Sequence, residues 1–463
     1  MSTTLPEHER PGAGGNPRAQ QAGGPGAGGS GAGPGGTASG PGDTAGYRLG
    51  PLYLTLPLAN IALYMIWIGV GSFLIPLQVA QITGENDTDA LTTASTTGAI
   101  LATIGNPLFG LLSDRTRSRW GRRAPWVLLC AGVGCLALVG QAKASSIAML
   151  GFTWGMVQLF MNGYMAASTA AMPDRVPVRK YGTFSALIGL GIPLATIIAS
   201  LIIGGVPGEK FGLSGTIGGF DGKFMGEKGY YLIAVIVFAS AVIFVLVSPD
   251  KPNKDVPREK FELKEFLSGF WVSPKEHPDF FWAFASRFGV MVGYWIVSVY
   301  TMFILIEYIE IPGEEIGPAM GYQLIINALA TVAASMVIGP LVDRIGRIKP
   351  FVLICGVGSA ASLAIPMLSP TEGGMEVFQI VNGIFFGTYM AVDLALMTKV
   401  LPSSGEPGKD LGIVNIAAAG PQIAAPTIAG WIVDAGGYEA IFPIAAVVSL
   451  GGAFLVLKVR AVR

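Results

Sequence analysis

The sequence predicts an all-α integral membrane protein, with twelve transmembrane helices in two pseudo-symmetric six-helix bundles, on three observations. Hydrophobic residues make up 51% of the 463-residue chain and charged ones only 13%, with a mean hydropathy of +0.56. Charges gather into short islands separated by apolar runs of about 18 to 28 residues, the length that crosses a bilayer. Finally, motifs in the first half recur in the second at an offset of 229 residues.

Residues 1 to 46 are Gly, Pro and Ala with almost nothing large and apolar, so they cannot repay the entropy of ordering and are expected to form a disordered tail. They contain no apolar core of the kind a signal peptide has. Twelve apolar segments follow, at about 52–79, 90–112, 124–142, 147–172, 183–206, 230–248, 280–306, 316–342, 350–368, 374–400, 411–433 and 437–458. They divide into a first bundle over 50–248, a joint over 249–279 and a second bundle over 280–460. In the joint, Leu263, Phe266, Leu267, Phe270 and Trp271 follow the i, i+3, i+4, i+7, i+8 spacing of an amphipathic helix lying on a membrane surface.

Lysine and arginine orient this array, because cytoplasmic connections carry the excess of positive charge. Placing both termini in the cytoplasm puts 25 Lys and Arg on that side and four on the other, with Arg287 left inside a helix. The formal net charge is zero, which gives no argument for nucleic acid as a partner. Cys130, Cys135 and Cys355 sit within apolar runs and read as buried thiols, not as a disulfide scaffold or a metal cluster. The chain has no phosphate-binding G-x-x-x-x-G-K-[ST] loop and no zinc-binding H-E-x-x-H helix, and His8 and His277 lie outside the spans, so neither an enzyme nor a cofactor is expected.

The second connection, "GLLSDRTRSRWGRRAPW" (110–126), holds Arg115, Arg117, Arg119, Arg122 and Arg123, and "GPLVDRIGRIKPF" (339–351) is its shorter copy. Gly110 and Gly339, Asp114 and Asp343, and Arg115 and Arg344 match at the common offset. Each aspartate sits at the C-terminal end of its helix, where the helix dipole disfavours an acid by about 0.3 to 1 kcal/mol, so it needs outside partners. The N-termini of the fifth and eleventh helices, together with Arg115, Arg122, Arg344 and Arg347, are expected to supply them and to latch the cytoplasmic side shut. A purely topological role for the arginines is the plainer alternative.

Two copies of G-x-x-x-D-R at equivalent loops, in twelve helices arranged as two halves, resemble the major facilitator superfamily. The stretches "SDRTRSRWGRRAPW" and "VDLALMTKVLPSSGEPGKDLGIVNIAAAGPQIAAP" resemble the glycoside, pentoside and hexuronide permeases and the sucrose/proton symporters, over residues 50 to 460. The resemblance implies a secondary transporter in the cell membrane that moves a sugar or glycoside by alternating access. Sodium-coupled members have two aspartates on the second helix where this chain has Ala102 and Asn106, so a proton becomes the expected coupling ion. Thr92, Thr93, Ser95, Thr96 and Thr97 on that helix offer oxygen for a cation, or bridges between helices. Efflux of an amphipathic compound, a primary pump or membrane enzyme, and a transport-dead sensor are the alternative readings.

Substrate contacts are expected from stripes on single helix faces. The first helix offers Asn60, Tyr64, Trp67 and Gly71, the fourth Trp154, Gln158 and Asn162, and the tenth Asn382, Phe386, Tyr389 and Asp393. Aromatic faces suit the apolar faces of sugar rings and amides suit the hydroxyls, although both types also pack and bridge helices. Arg287 and Asp393 are the two charges placed well inside the membrane, where such groups are costly and usually paired. They are expected to meet, either as a proton-coupling device or as a permanent structural pair.

Overall fold

The computed structural model describes residues 49–84, 87–177, 180–211, 216, 223–252, 275–345, 347–400 and 407–460. The tail and most of the joint, with its expected amphipathic helix, lie outside the described residues. Nine helices among those described are long and apolar enough to cross a membrane. They are α1 (Leu49–Thr83), α3 (Ala124–Ala142), α5 (Leu187–Gly204), α6 (Glu227–Val247), α7 (Pro278–Tyr308), α8 (Ile316–Ile345), α9 (Lys349–Leu368), α10 (Glu372–Val400) and α12 (Tyr438–Lys458). Three more polar helices, α2 (Thr88–Arg115), α4 (Ile147–Thr169) and α11 (Pro407–Gly436), run 28, 23 and 30 residues. At 1.5 Å per residue each of these also reaches the roughly 30 Å of a hydrocarbon core.

Local chemistry sets the ends. Asp87 caps α2 by accepting a hydrogen bond from the Ala90 amide at 2.9 Å, and Ser146 caps α4 through the Met149 amide at 3.3 Å. Prolines stand in the first turns of α3, α7 and α9, where no backbone donor is lost to the helix ladder. Gly121, between α2 and α3, has φ +81°, and a Cβ there would lie 2.3 Å from the Asp250 side chain. Both the turn and the carboxylate exclude other residues.

Close packing between rods relies on small residues, as expected where lipid supplies no hydrophobic drive for helix association. A Cβ at Gly105 of α2 would meet the Leu159 carbonyl of α4 at 2.3 Å, and one at Gly289 of α7 would meet Gly452 of α12 at 2.7 Å. Between α8 and α10, Asn327, Thr331 and Ser335 donate to the carbonyls of Gln379, Gly383 and Gly387 at 2.9, 3.2 and 2.8 Å. Three helices change to wider π-type hydrogen bonding along part of their length: α1 over Ile66–Leu74, α5 over Ser200–Gly204 and α7 over Ile304–Tyr308. The three cysteines are buried and unbonded to one another.

The rods run up and down, giving two ends. One holds the C-terminus of α2 and the arginines up to Arg123, and is called the arginine end. At the opposite, far end, α1, α5 and α11 finish and α2, α8 and α10 begin.

Candidate functional site

The α1 and α4 stripes meet, through fewer residues than their spacing offers. The indole N–H of Trp67 donates to Gln158 Oε1 at 2.7 Å, and Asn162 donates to the Gln158 carbonyl at 2.8 Å. Tyr64 packs edge-on against Trp67, with ring centroids 5.0 Å apart. Asn60 points elsewhere: its amide donates to Leu56 of its own helix at 3.0 Å, and its side chain lies beside Gly191, just before α5 reaches its middle. Its buried Oδ1 has no hydrogen-bond partner among the described residues. Trp154 is 5% exposed and pressed so closely on Gly98 of α2 that a Cβ there would touch the indole at 2.3 Å, so in this conformation the ring joins α4 to α2.

Arg287 and Asp393 do meet. The guanidinium Nη1 stands 3.0 Å from Asp393 Oδ2, and the Tyr389 hydroxyl donates to the other carboxylate oxygen at 3.0 Å. Tyr389 is thereby a polar partner of the pair and is 2% exposed, with no free ring face. Above the pair, Tyr294 of α7 and Phe386 of α10 stack with centroids 3.9 Å apart and planes 9° from parallel. Asn382 turns away from this face. Its amide donates to Ser359 and Ser362 of α9 at 3.0 and 3.3 Å, so it bridges α10 to a neighbouring rod.

At the arginine end, Asp114 finds its partner close by. Arg123 lies 2.6 Å from it and Arg122 3.9 Å, and both arginines also hold Asp174, just past α4. Arg123 further donates to Ser113 at 2.5 Å. Burial works against the Arg123 charge, but the carboxylates of Asp174 and Asp114 outweigh it and keep the guanidinium pKa above its ordinary value. Beyond them, Asp250 accepts from the Arg122 amide at 3.1 Å and lies 3.5 Å from the buried Arg175. All these residues belong to the first six helices and their connections. The partners expected for Asp114 from α11 and the second half do not appear among the described contacts: Arg344 and Arg347 are exposed, and the surroundings of Gly339 and the side chain of Asp343 lie outside what is described. Arg115 is half-buried, and Gly110 packs near Ala166 of α4.

The far end has the opposite character. Thr92 of α2 and Tyr300 of α7 share a hydrogen bond of 2.6 Å, in which either hydroxyl can donate; the one that accepts is left to donate to a carbonyl, Thr92 to that of Pro426 of α11 at 3.2 Å or Tyr300 to that of Thr88 at 3.1 Å. Thr96 and Thr427 are 3.2 Å apart, whereas Thr97 bonds its own helix at the Thr93 carbonyl. The α2 hydroxyls therefore bridge the halves. On the other flank the backbones of α5 and α8 nearly touch, since a Cβ at Gly204 would meet the Gly317 carbonyl at 2.7 Å. The cross-half polar contacts described all lie at this end.

Sequence reasoning passed over Arg123 as the partner of Asp114, and passed over Asp174, Arg175, Tyr300 and Thr427. The "PDR" of Pro173–Arg175 held a signal: an acid–base pair in a short connection facing the arginine loop.

An all-helical membrane protein with an amide–aromatic cluster in one half, a buried ion pair in the other and one end sealed has the layout of a carrier. The Major Facilitator Superfamily model matches residues 58–375 and 310–463, and the chain belongs to that superfamily of transporters. It is 36% identical over 94 residues to the inner membrane symporter YicJ of Escherichia coli, covering 20% of this chain and 18% of that one. An uncharacterized symporter of Synechocystis is 68% identical over 31 residues, 7% of this chain and 6% of the relative. The fujikurins efflux protein of Gibberella fujikuroi is 26% identical over 211 residues, 44% of this chain and 43% of that protein. These matches thus span less than half of each relative's length. Among solved structures, a mutant form of the nucleoside transporter NupG superposes with a TM-score of 0.68 at 14% identity, over 88% of this chain and 99% of that one. A bacterial homolog of the human lysosomal transporter Spinster, inward-facing and unoccupied, superposes with a TM-score of 0.60 at 15% identity, over 89% and 97%.

Proposed function

We propose that this transporter moves a sugar or glycoside together with a proton across the cell membrane. The observation that carries the reading is the buried Arg287–Asp393–Tyr389 group, which sits roughly 10 to 14 Å along α7 and α10 from the arginine end at 1.5 Å per residue. A buried carboxylate is stable as an anion while its arginine stays close, and takes up a proton when the arginine withdraws. Separation of the pair during the transport cycle would therefore load and unload one proton. Tyr64, Trp67, Gln158 and Asn162 supply rings and amides suited to an uncharged polyol, and Asn60 has a spare acceptor. No metal or cofactor enters this reading.

The positive-inside count supports a cytoplasmic position for both termini and the arginine end, and together with the cross-half contacts at the far end it supports reading the conformation described as inward-facing. In the opposite conformation the Asp114 network would meet the second half through Asp343, Arg344 and Arg347 and act as a latch. Asp114→Ala is expected to raise cytoplasmic accessibility, and unchanged accessibility with normal transport removes the latch.

The deciding experiment uses proteoliposomes and a panel of mono- and disaccharides, glycosides and nucleosides, with and without an imposed proton gradient. In Asp393→Asn, gradient-driven accumulation is expected to vanish while exchange of the same sugar survives. Persistent accumulation overturns the coupling role. Loss of both activities, rescued by also neutralising Arg287, makes the pair structural. The similarity to an efflux protein supports a second reading, outward movement of an amphipathic compound, which the same panel run with substrate inside the vesicles separates.

A further inference from the structure

Lys210 lies on the short 3-10 turn Gly208–Phe211 that follows α5, yet its partners are across the divide. Its ammonium is 2.8 Å from Glu372 and 3.1 Å from Glu376, one turn apart at the start of α10. The same ammonium lies 5.2 Å from the ring centre of Tyr322 on α8, and Phe211 packs edge-on against that ring at 5.2 Å. One turn of chain from the first half is thus pinned by charge to α10 and by aromatic contact to α8, directly over the Gly204–Gly317 approach.

We infer that Lys210, Glu372 and Glu376 form an acid-released clasp on the far end, so that acidity on that side favours opening toward it. The inference rests on the alternating-access reading above. The two flanks of the far end differ in kind. Thr92, Tyr300, Thr96 and Thr427 meet through hydroxyls, with Asp434 accepting from Thr88 at 3.4 Å and Asp87 and Asp89 at the start of α2, whereas the clasp is a carboxylate–ammonium pair. Among the described residues at the far ends of these elements, the charged or titratable groups are Glu209 and Lys210 on the turn, Glu314, Glu315 and Tyr322 at and before the start of α8, and Glu372 and Glu376 on α10. Protonating both glutamates leaves Lys210 without a counter-charge and with weaker acceptors. In a carrier driven by protons from that side, release there directs the empty binding site toward the proton supply.

The test measures the distance across the far end by paired spin labels on the full chain in nanodiscs, without substrate. Labels at Ser145→Cys and Glu314→Cys use exposed positions in the two halves, and the three native cysteines are buried. From about pH 7.5 to about pH 4, the far-open fraction is expected to rise roughly two- to five-fold, the span that partly exposed ion pairs support. Lys210→Gln and the double variant Glu372→Gln/Glu376→Gln should start at the raised fraction and respond little to pH, while Lys210→Arg should behave as the parent. Tyr300→Phe should open the far end and keep its pH response. An undiminished pH response in the double glutamine variant, a Lys210→Gln distribution like the parent's, or a response lost in Tyr300→Phe overturns the clasp. Because no sugar is present, a blank uptake panel leaves this result standing, and the failure of either idea is read separately.

Discussion

The two ends of the molecule are held by different chemistry. At the arginine end Asp114, Asp174, Asp250, Arg122, Arg123 and Arg175 form a dense ion network within the first half. At the far end, hydroxyls, glycine backbones and one exposed clasp join the two halves. The difference separates rigidity from closure. Breaking a buried ion pair with no proton to take the lost partner's place strands a charge, so a network in which each carboxylate has more than one arginine suits a joint that stays fixed through every cycle. Neutral hydrogen bonds are worth about 0.5 to 1.5 kcal/mol net, which suits contacts that must part and re-form.

The largest expected effect breaks the rigid end. Arg123→Ala leaves Asp114 and Asp174 to share Arg122 alone and should destabilise the first half by about 3 kcal/mol, read as a fall in the thermal midpoint of detergent-solubilised protein. Spin labels across the far end should show no added opening in the surviving folded fraction; a far end that opens equally would erase the contrast. Next comes Gly204→Ala, which places a methyl against the Gly317 carbonyl. It should disfavour the sealed far end by about 1 to 3 kcal/mol while leaving folded yield near the parent's, measured by labelling of a far-end cysteine. Tyr300→Phe removes the hydroxyl shared with Thr92 and Thr88 and should shift the same equilibrium by about 1 kcal/mol. If it lowers the melting midpoint instead, the hydroxyls belong to the rigid class.

The smallest effect is alkaline. Hydrogen bonding to Glu372, opposed by partial burial and aided by Glu376, holds the Lys210 pKa above its ordinary value. Its contribution is therefore complete below the free-lysine pKa of about 10.4 and is lost as pH rises through the higher folded value. Strongly alkaline solution should loosen the far end slightly, while the guanidinium network at the arginine end stays intact. Equal loosening of both ends would contradict the assignment.

The helical array was legible because lipid demands long apolar runs, and the predicted segments fall within the observed helices to a few residues at most ends. Arg287 and Asp393 were legible for a related reason: a charge inside a span must find a counter-charge, and few are on offer. Asn382 shows the limit. Spacing places it on a face of α10, but only packing decides that the serines of α9 cover that face. Of the Asp114 partners, Arg122 was expected and stands 3.9 Å away, but the nearer one was missed because helix dipoles and loop arginines are equally visible in sequence, and geometry chose Arg123, just after the Gly121 turn. On α1, the stripe from Asn60 to Gly71 assumed a uniform helix, whereas the π-type stretch from Ile66 turns Trp67 and Gly71 toward α4 and leaves Asn60 toward α5.

Such stretches in α1, α5 and α7 carry a mechanical consequence. A turn bonded i to i+5 holds one residue more than an α-turn. If it relaxes to α-bonding, the chain beyond it advances by one residue, which is about 100° of rotation and 1.5 Å of rise, without any turn being unbonded. Each of these helices therefore contains a screw thread as well as a rod, and its two ends can turn relative to one another while the hydrogen-bonded spine stays whole.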